Sequence, residues 1–207
     1  MRRGLALKSW VTLMRPGRLL NASRTQYAPR GEAMVIKRHM LSKRDVKELV
    51  GEVSWLSEAY NNLDEVEVIE VRDDLRLYKV GDEVAVVKAT IKVNEANRDV
   101  TYPTLLAANK YSVILNYYPV AQVDEGAVKP IATGADVMRP GIRGLSRPFK
   151  VGDVVLIKSP SGRIIAIAVS LFESEELMKM SRGKVLKNIH HIDDEVWRLM
   201  SGEHEHK

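Results

Sequence analysis

Between Lys129 and Arg163 the sequence sets seven bases, Lys129, Arg139, Arg143, Arg147, Lys150, Lys158 and Arg163, against two acids, Asp136 and Asp153. Bases gathered in this way suit the oxygens of a phosphate chain, arginine above all, because its planar guanidinium can donate two parallel hydrogen bonds. Neutralising about five phosphates would make affinity fall steeply with salt. The same residue types serve equally well as solvated charges between strands. Gly126 and Gly134 bracket a short helical run close by, and the missing Cβ atoms there would let a phosphate backbone come near.

Other chemistries lack their residues. None of the 207 residues is cysteine. This excludes disulfide frameworks, thiolate zinc sites, iron–sulfur clusters and cysteine nucleophiles, and a reducing, cytoplasmic location is expected. No glycine-rich loop of the Walker or Rossmann kind occurs, since Gly81-Asp82 and Gly152-Asp153 precede strand-like runs and not helices. His190 and His191 are neighbours on a predicted strand, so they point to opposite faces and cannot share a metal. His204 and His206 fall in a polar tail, where adventitious metal binding is the most to expect. Asp73-Asp74 reads as a turn and Asp193-Asp194-Glu195 as a helix N-terminus, not as acid–base pairs. The expectation is a protein that is not an enzyme and carries no metal or cofactor. No apolar run approaches the ~20 residues of a membrane span, so no membrane partner is expected.

The elements that must position the bases follow from periodicity and turn chemistry. Ser42 three residues before Asp45 resembles a capping box, and Val46, Leu49, Val50, Val53 and Leu56 then fall at helical spacing, which predicts a single helix of three to four turns. Val66–Val71 and Leu75–Val80 alternate as a hairpin. A strand restarts after Gly81-Asp82 and ends at Asn94–Asn97, and a short helix is expected from near Pro103 to about Asn109. A second unit begins near Val120. It offers a strand end at Gln122-Val123, a two-turn helix from Gly126 to Thr133 stopped by Gly134, and a strand-and-turn over Ala135–Ile142. Strands at Lys150–Lys158 and Arg163–Leu171, a helix at Ser174–Met180 and a last strand before Trp197 complete it. Short strands with two short helices in about 80 residues describe a small closed β-barrel. The fold class is therefore α+β. A mixed N-terminal domain covers 34–119, the barrel 120–200, and a polar tail 201–207.

The overall balance is 32 Lys and Arg against 27 Asp and Glu, net +5, with pI ≈ 9.3. Residues 1–33 carry seven bases and one acid, Glu32, so the excess lies in this basic leader. Its composition fits an organelle-targeting peptide, a nucleic-acid-binding arm, or a poorly ordered tail ahead of a true start at Met34. We take the last reading, because no strong periodicity precedes Val35, and expect removal of residues 1–33 to leave any affinity for a phosphate chain largely intact.

Val123–Trp197 resembles a PUA domain, the RNA-binding module named for pseudouridine synthases and archaeosine transglycosylases. The likeness is carried by Val123-Asp124-Glu125-Gly126-Ala127-Val128-Lys129, by Gly134-Ala135-Asp136-Val137-Met138-Arg139-Pro140-Gly141-Ile142, by Val151-Gly152-Asp153 and by Gly162-Arg163-Ile164-Ile165-Ala166. The ending Gly183-Lys184-Val185-Leu186-Lys187-Asn188-Ile189-His190, with Trp197 beyond, adds a narrower likeness. So do Tyr102-Pro103-Thr104-Leu105-Leu106 and Lys110-Tyr111. Together these resemble the malignant T-cell-amplified-sequence family of translation factors, in which an N-terminal domain precedes a PUA domain. The resemblance spans about Lys37 to Leu199. Ser112 stands where a proline usually follows the Lys-Tyr pair, and Arg139 where a smaller residue is common.

The resemblance implies a non-catalytic factor whose PUA domain contacts small-subunit ribosomal RNA or the acceptor end of a tRNA in re-initiation or recycling. It implies the small ribosomal subunit as a partner, and a SUI1-domain protein in trans. The implied RNA-binding residues are Gly126, Lys129, Gly134, Asp136, Arg139, Gly141, Arg143, Arg147 and Lys150, and charge reversal at Arg139, Arg143 and Arg147 is expected to abolish binding. Residues 34–119, with twelve bases and fourteen acids, show no basic face in sequence and are the better candidate for protein contact. A second reading is an accessory subunit presenting tRNA to an RNA-modifying enzyme.

Overall fold

The computed structural model describes residues 36–201, together with the backbone of an antiparallel pair, β1 (Gln26–Tyr27) and β2 (Ala33–Met34). The rest of the leader, and the tail beyond Ser201 with His204 and His206, lie outside the described residues.

The first large sheet is an antiparallel meander of β3 (Lys37–Met40), β4 (Val66–Arg72), β5 (Leu75–Val80), β6 (Glu83–Val93) and β7 (Ala96–Pro103). Between β3 and β4 run α1 (Lys43–Glu52) and α2 (Leu56–Ala59). Ser42 caps α1 as its type predicts, its Oγ accepting the Asp45 N–H at 3.2 Å; the Asp45 carboxylate accepts the Ser42 hydroxyl at 2.7 Å and not a backbone N–H. The single long helix expected over Val46–Leu56 is two. Val53 leaves helical geometry at φ −123°, ψ 69°, and the break turns Trp55 into the core, where its indole N–H donates to the Tyr118 hydroxyl at 3.3 Å. Burying a large aromatic side chain outweighs one lost helical turn. The hairpin at Asp73-Asp74 forms as predicted, with Arg72 Nε donating to Asp74 at 2.6 Å. Asn94, at φ 53°, turns the chain into β7, a strand absent from the sequence-based expectation. Thr104 then caps α3 (Leu105–Lys110), so that helix starts two residues later than expected, and a 3-10 turn follows at Ser112–Asn116.

The second sheet has the order β10-β8-β11-β12-β13-β9. Its strands are β8 (Val120–Val123), β9 (Val137–Met138), β10 (Ile142–Leu145), β11 (Val154–Lys158), β12 (Ile164–Ser170) and β13 (Lys184–His191). Here β8 and β11 run parallel and the other neighbours antiparallel. Helices α4 (Glu125–Ala132), α5 (Ser174–Lys179) and α6 (Glu195–Ser201) complete it. The barrel is not closed by hydrogen bonds. Strands β9 and β10 are its two edges, and the chain itself spans the gap through the 3-10 turn Arg139–Gly141. Pro140 accounts for this in part, since it cannot donate to a ladder.

Two apolar cores form: one fills the second unit between its strands, α4 and α5, around Val123, Ile131, Ile157 and Leu186, and the other runs through both sheets. Leu77, Val87 and Tyr102 of the first sheet share the latter with Leu156, Ile167, Val169 and Leu171 of the second sheet. Polar ties close the seam. Asn109 mimics a strand neighbour, donating to Ile164 O at 2.8 Å and accepting Ile164 N–H at 3.0 Å. Asn94 donates to Leu171 O, and Lys187 Nζ to Lys92 O. A continuous apolar core, tied at its rim by these hydrogen bonds, holds the two sheets as one body.

Candidate nucleic-acid interface

The residues singled out in the sequence divide into those that build the fold and those that face solvent. Arg139 belongs to the first kind. Its Nε donates to Leu177 O at 3.0 Å, Nη1 to Ile142 O at 3.3 Å and Nη2 to Met178 O at 3.4 Å, while its own N–H meets Gly183 O at 2.8 Å. The guanidinium thus occupies the gap between the two edge strands and ties it to the end of α5. Arg147 is also consumed internally, donating to the carbonyls of Asn116 (2.9 Å), Leu115 (3.1 Å) and Tyr118 (2.6 Å). Those carbonyls close the 3-10 turn, and a cation there completes groups that no helix bond satisfies.

Asp136 accepts the Asn188 N–H at 2.8 Å and pairs with Lys184 at 3.2 Å, so it fixes β13. The glycines differ in the same way. A Cβ on Gly134, at φ +101°, would lie 2.7 Å from His191 Nε2, and one on Gly141 would lie 3.0 Å from the Ala127 Cβ. The space at Gly134 is therefore filled by an imidazole ring, and its openness to phosphate, expected from sequence, is not found. Gly126 alone meets nothing tighter than Asp124 Oδ1 at 3.5 Å and is exposed on the first turn of α4.

Of the seven bases, Lys158 and Arg163 flank the β11–β12 turn, the first half-buried and the second exposed, and those among the implied RNA-binding residues that are left for a ligand are Lys129, Arg143 and Lys150. Lys129 is exposed one turn along α4 from Gly126. Arg143 is 63% exposed and touches Asp124 at 2.7 Å, the residue that also caps α4 through the Ala127 N–H. Lys150 is exposed on the loop into β11, the turn at Gly152 over which Arg98 of the first sheet lies. Three bases outside the window read from sequence join this end of the domain. Lys179 ends α5, Arg182 precedes Gly183 in the loop that touches Arg139, and Lys184 pairs opposite Met138. All three are exposed, as are the side chains of Met138 (49%) and Met178 (46%). Their signal in sequence is Lys179-Met180-Ser181-Arg182-Gly183-Lys184, but it lies some forty residues from the other bases and only the fold joins them.

Among the described residues, His190 Nδ1 lies 2.7 Å from Asp194 Oδ2, a pairing of the kind used in catalytic sites. His190 is fully buried and its Nε2 has no partner, so the imidazole reaches no solute; its ring lies 6.3 Å from that of Tyr102 at the seam. Asp194 caps α6, accepting the N–H of Trp197 and of His191. Burial pushes its carboxyl up, but the hydrogen bonds and charge of His190 and those two N–H groups outweigh that and hold it below the ordinary carboxylate range. The stability it confers is thus present above the unfolded value near pH 4 and is lost as pH falls through the lower folded value. Chemical denaturation of wild type and Asp194→Asn should show a constant gap above about pH 5 that narrows below about pH 4. Among the described residues no group of three or more His, Asp or Glu is placed to hold a metal.

Known proteins share this architecture. The PUA domain family model matches residues 119–192, the span of the second sheet. A translation machinery-associated protein 20 from Eremothecium gossypii is 30% identical, over 65% of this chain and 72% of its own length. The chain belongs to the family of the translation machinery-associated 20 and malignant T-cell-amplified-sequence proteins. An uncharacterized protein of Methanocaldococcus jannaschii is 31% identical, over 79% of this chain and 96% of its own. The crystal structure of a hypothetical protein from Pyrococcus horikoshii superposes with a TM-score of 0.64 at 32% identity, covering 79% of this chain and 99% of that one. In this PUA-domain protein, then, the likeness extends through the meander sheet as well as the PUA unit. Among the described residues no helix is long and apolar enough to cross a membrane.

Proposed function

We propose that this protein is a non-catalytic RNA-binding factor of the translation machinery. The reading is carried by one observation, the PUA match over 119–192 within a chain whose relatives include translation machinery-associated proteins. The PUA unit grips phosphates through Lys129, Arg143, Lys179, Arg182 and Lys184, with Gly126 giving a close approach on α4 and Lys150 reaching a more distant part of the strand. Arg139, Arg147 and Asp136 shape that face from within. Charge reversal at Arg139 and Arg147 would therefore report on folding and not on RNA contact. The ligand is small-subunit ribosomal RNA or the acceptor end of a tRNA, in re-initiation or recycling, with a SUI1-domain protein acting in trans.

Co-sedimentation of the purified chain with isolated small ribosomal subunits tests this reading. Stable association that fades with rising salt supports it. Failure to bind subunits, with co-purification of a transglycosylase or pseudouridine synthase instead, would favour an accessory subunit of an RNA-modifying enzyme.

A further inference from the structure

The sequence suggested no basic face on residues 34–119, since acids outnumber bases there, but the fold sorts them. Residues 1–47 hold twelve Lys and Arg against two acids, Glu32 and Asp45; the remaining 160 hold twenty against twenty-five. The positive stretch thus runs past the leader, through β3 and into the second turn of α1.

All four residues of β3 are exposed, and it is an edge of its sheet among the described residues. Lys37 and His39 point to one face and Arg38 and Met40 to the other, since side chains alternate along a strand. Only Leu41 and Ser42 separate this strand from α1, whose first two turns present Lys43 and Lys47 four residues apart on one side. Most of the acids nearby are engaged elsewhere: Asp45 holds the Ser42 hydroxyl, Glu48 pairs with Arg44 and Glu67 faces Lys79, while Glu70 sits across the ladder from both Lys37 and Arg76 and forms an ion pair with neither. No ion pair forms to Lys37, Arg38, Lys43 or Lys47 among the described residues.

We infer that this corner, β3 with the start of α1, is a second RNA contact that takes single-stranded RNA. Four cations without an ion pair among the described residues match a phosphate chain, and the exposed His39 ring, on the same face of β3 as Lys37, offers a plane on which an unpaired base can stack, as the Arg38 guanidinium does on the opposite face. An acidic protein would match the charge without using those planes. Because one core runs through both sheets, this corner and the PUA face keep a fixed relation, so an RNA that reaches both pays for ordering once. The inference rests on the proposed RNA-binding function.

The test uses the full chain with Lys37→Gln, Arg38→Gln, Lys43→Gln and Lys47→Gln together, alongside a PUA-face variant, with bulk deacylated tRNA as the probe. The quadruple variant should melt as wild type does, because all four side chains are exposed. The slope of log Kd against log salt should shrink by about 2–3, at about 0.7 for each single-strand phosphate that is no longer neutralised. Affinity near 0.1 M salt should drop tenfold or more. An unchanged slope with the PUA-face variant impaired would overturn the second contact and leave the function standing. Unchanged slopes in both variants would overturn both. Full tRNA affinity with loss of a protein partner from small-subunit preparations would reassign the corner to protein and overturn the inference as well.

Discussion

Reversing charge at Lys129, Lys179 and Arg182 together is expected to weaken RNA binding about 10²-fold or more near 0.1 M salt while leaving the melting temperature unchanged. Each of these side chains is exposed and makes no ion pair among the described residues, so a carboxylate in its place disturbs no structural contact, and surface changes of this kind stay within about 0.5 kcal/mol of stability. Removing a Lys or Arg that meets a phosphate weakens binding to all sequences alike. At roughly 1 kcal/mol for each such base, with repulsion added, the three together exceed the ~2.8 kcal/mol that corresponds to 10²-fold. Filter binding or fluorescence anisotropy with tRNA, paired with a thermal melt, reads both quantities. Undiminished affinity would place the site elsewhere on the molecule.

The second large effect is on stability and comes from an arginine that the family resemblance assigns to RNA. Arg147→Ala leaves the carbonyls of Leu115, Asn116 and Tyr118 without the guanidinium that joins the 3-10 turn to the PUA unit. Charge-assisted hydrogen bonds at a half-buried site lead to an expected loss of about 2–3 kcal/mol. For a chain of this size that lowers Tm by about 4–12 °C. Arg147→Lys should recover only part of it, since an ammonium cannot reach three carbonyls from one planar fork. Differential scanning calorimetry of both variants measures this. RNA affinity of the folded fraction should stay near wild type, and that separates this residue from the exposed bases.

These two cases show what can be read from the sequence. Turn chemistry and alternation locate the β4–β5 hairpin, α4 with its Gly134 stop, β12 and α5, because each is specified by neighbours in the chain. β3 and β7 are not legible in that way because they are edge strands, the first exposed at every residue and the second at its first four, so no apolar period marks them. The helix break at Val53 depends on a pocket for Trp55 that only the assembled core provides. At the site, residue type reveals a basic stretch but not the role of each base. Arg139 and Arg143 are four residues apart and alike in sequence, yet one is bound by three carbonyls and the other is 63% exposed. Carbonyl partners such as Leu177 and Met178 lie almost forty residues away and are set by the closing of the barrel.

The salt dependence of wild-type binding to tRNA tests the central claim most directly. If about five phosphates are neutralised by the exposed bases of the PUA face, log Kd should rise linearly with log salt at a slope of about 3.5–4.5, steeper if the β3–α1 corner also engages. Tight binding with a slope near zero, or no binding at low salt, would contradict it.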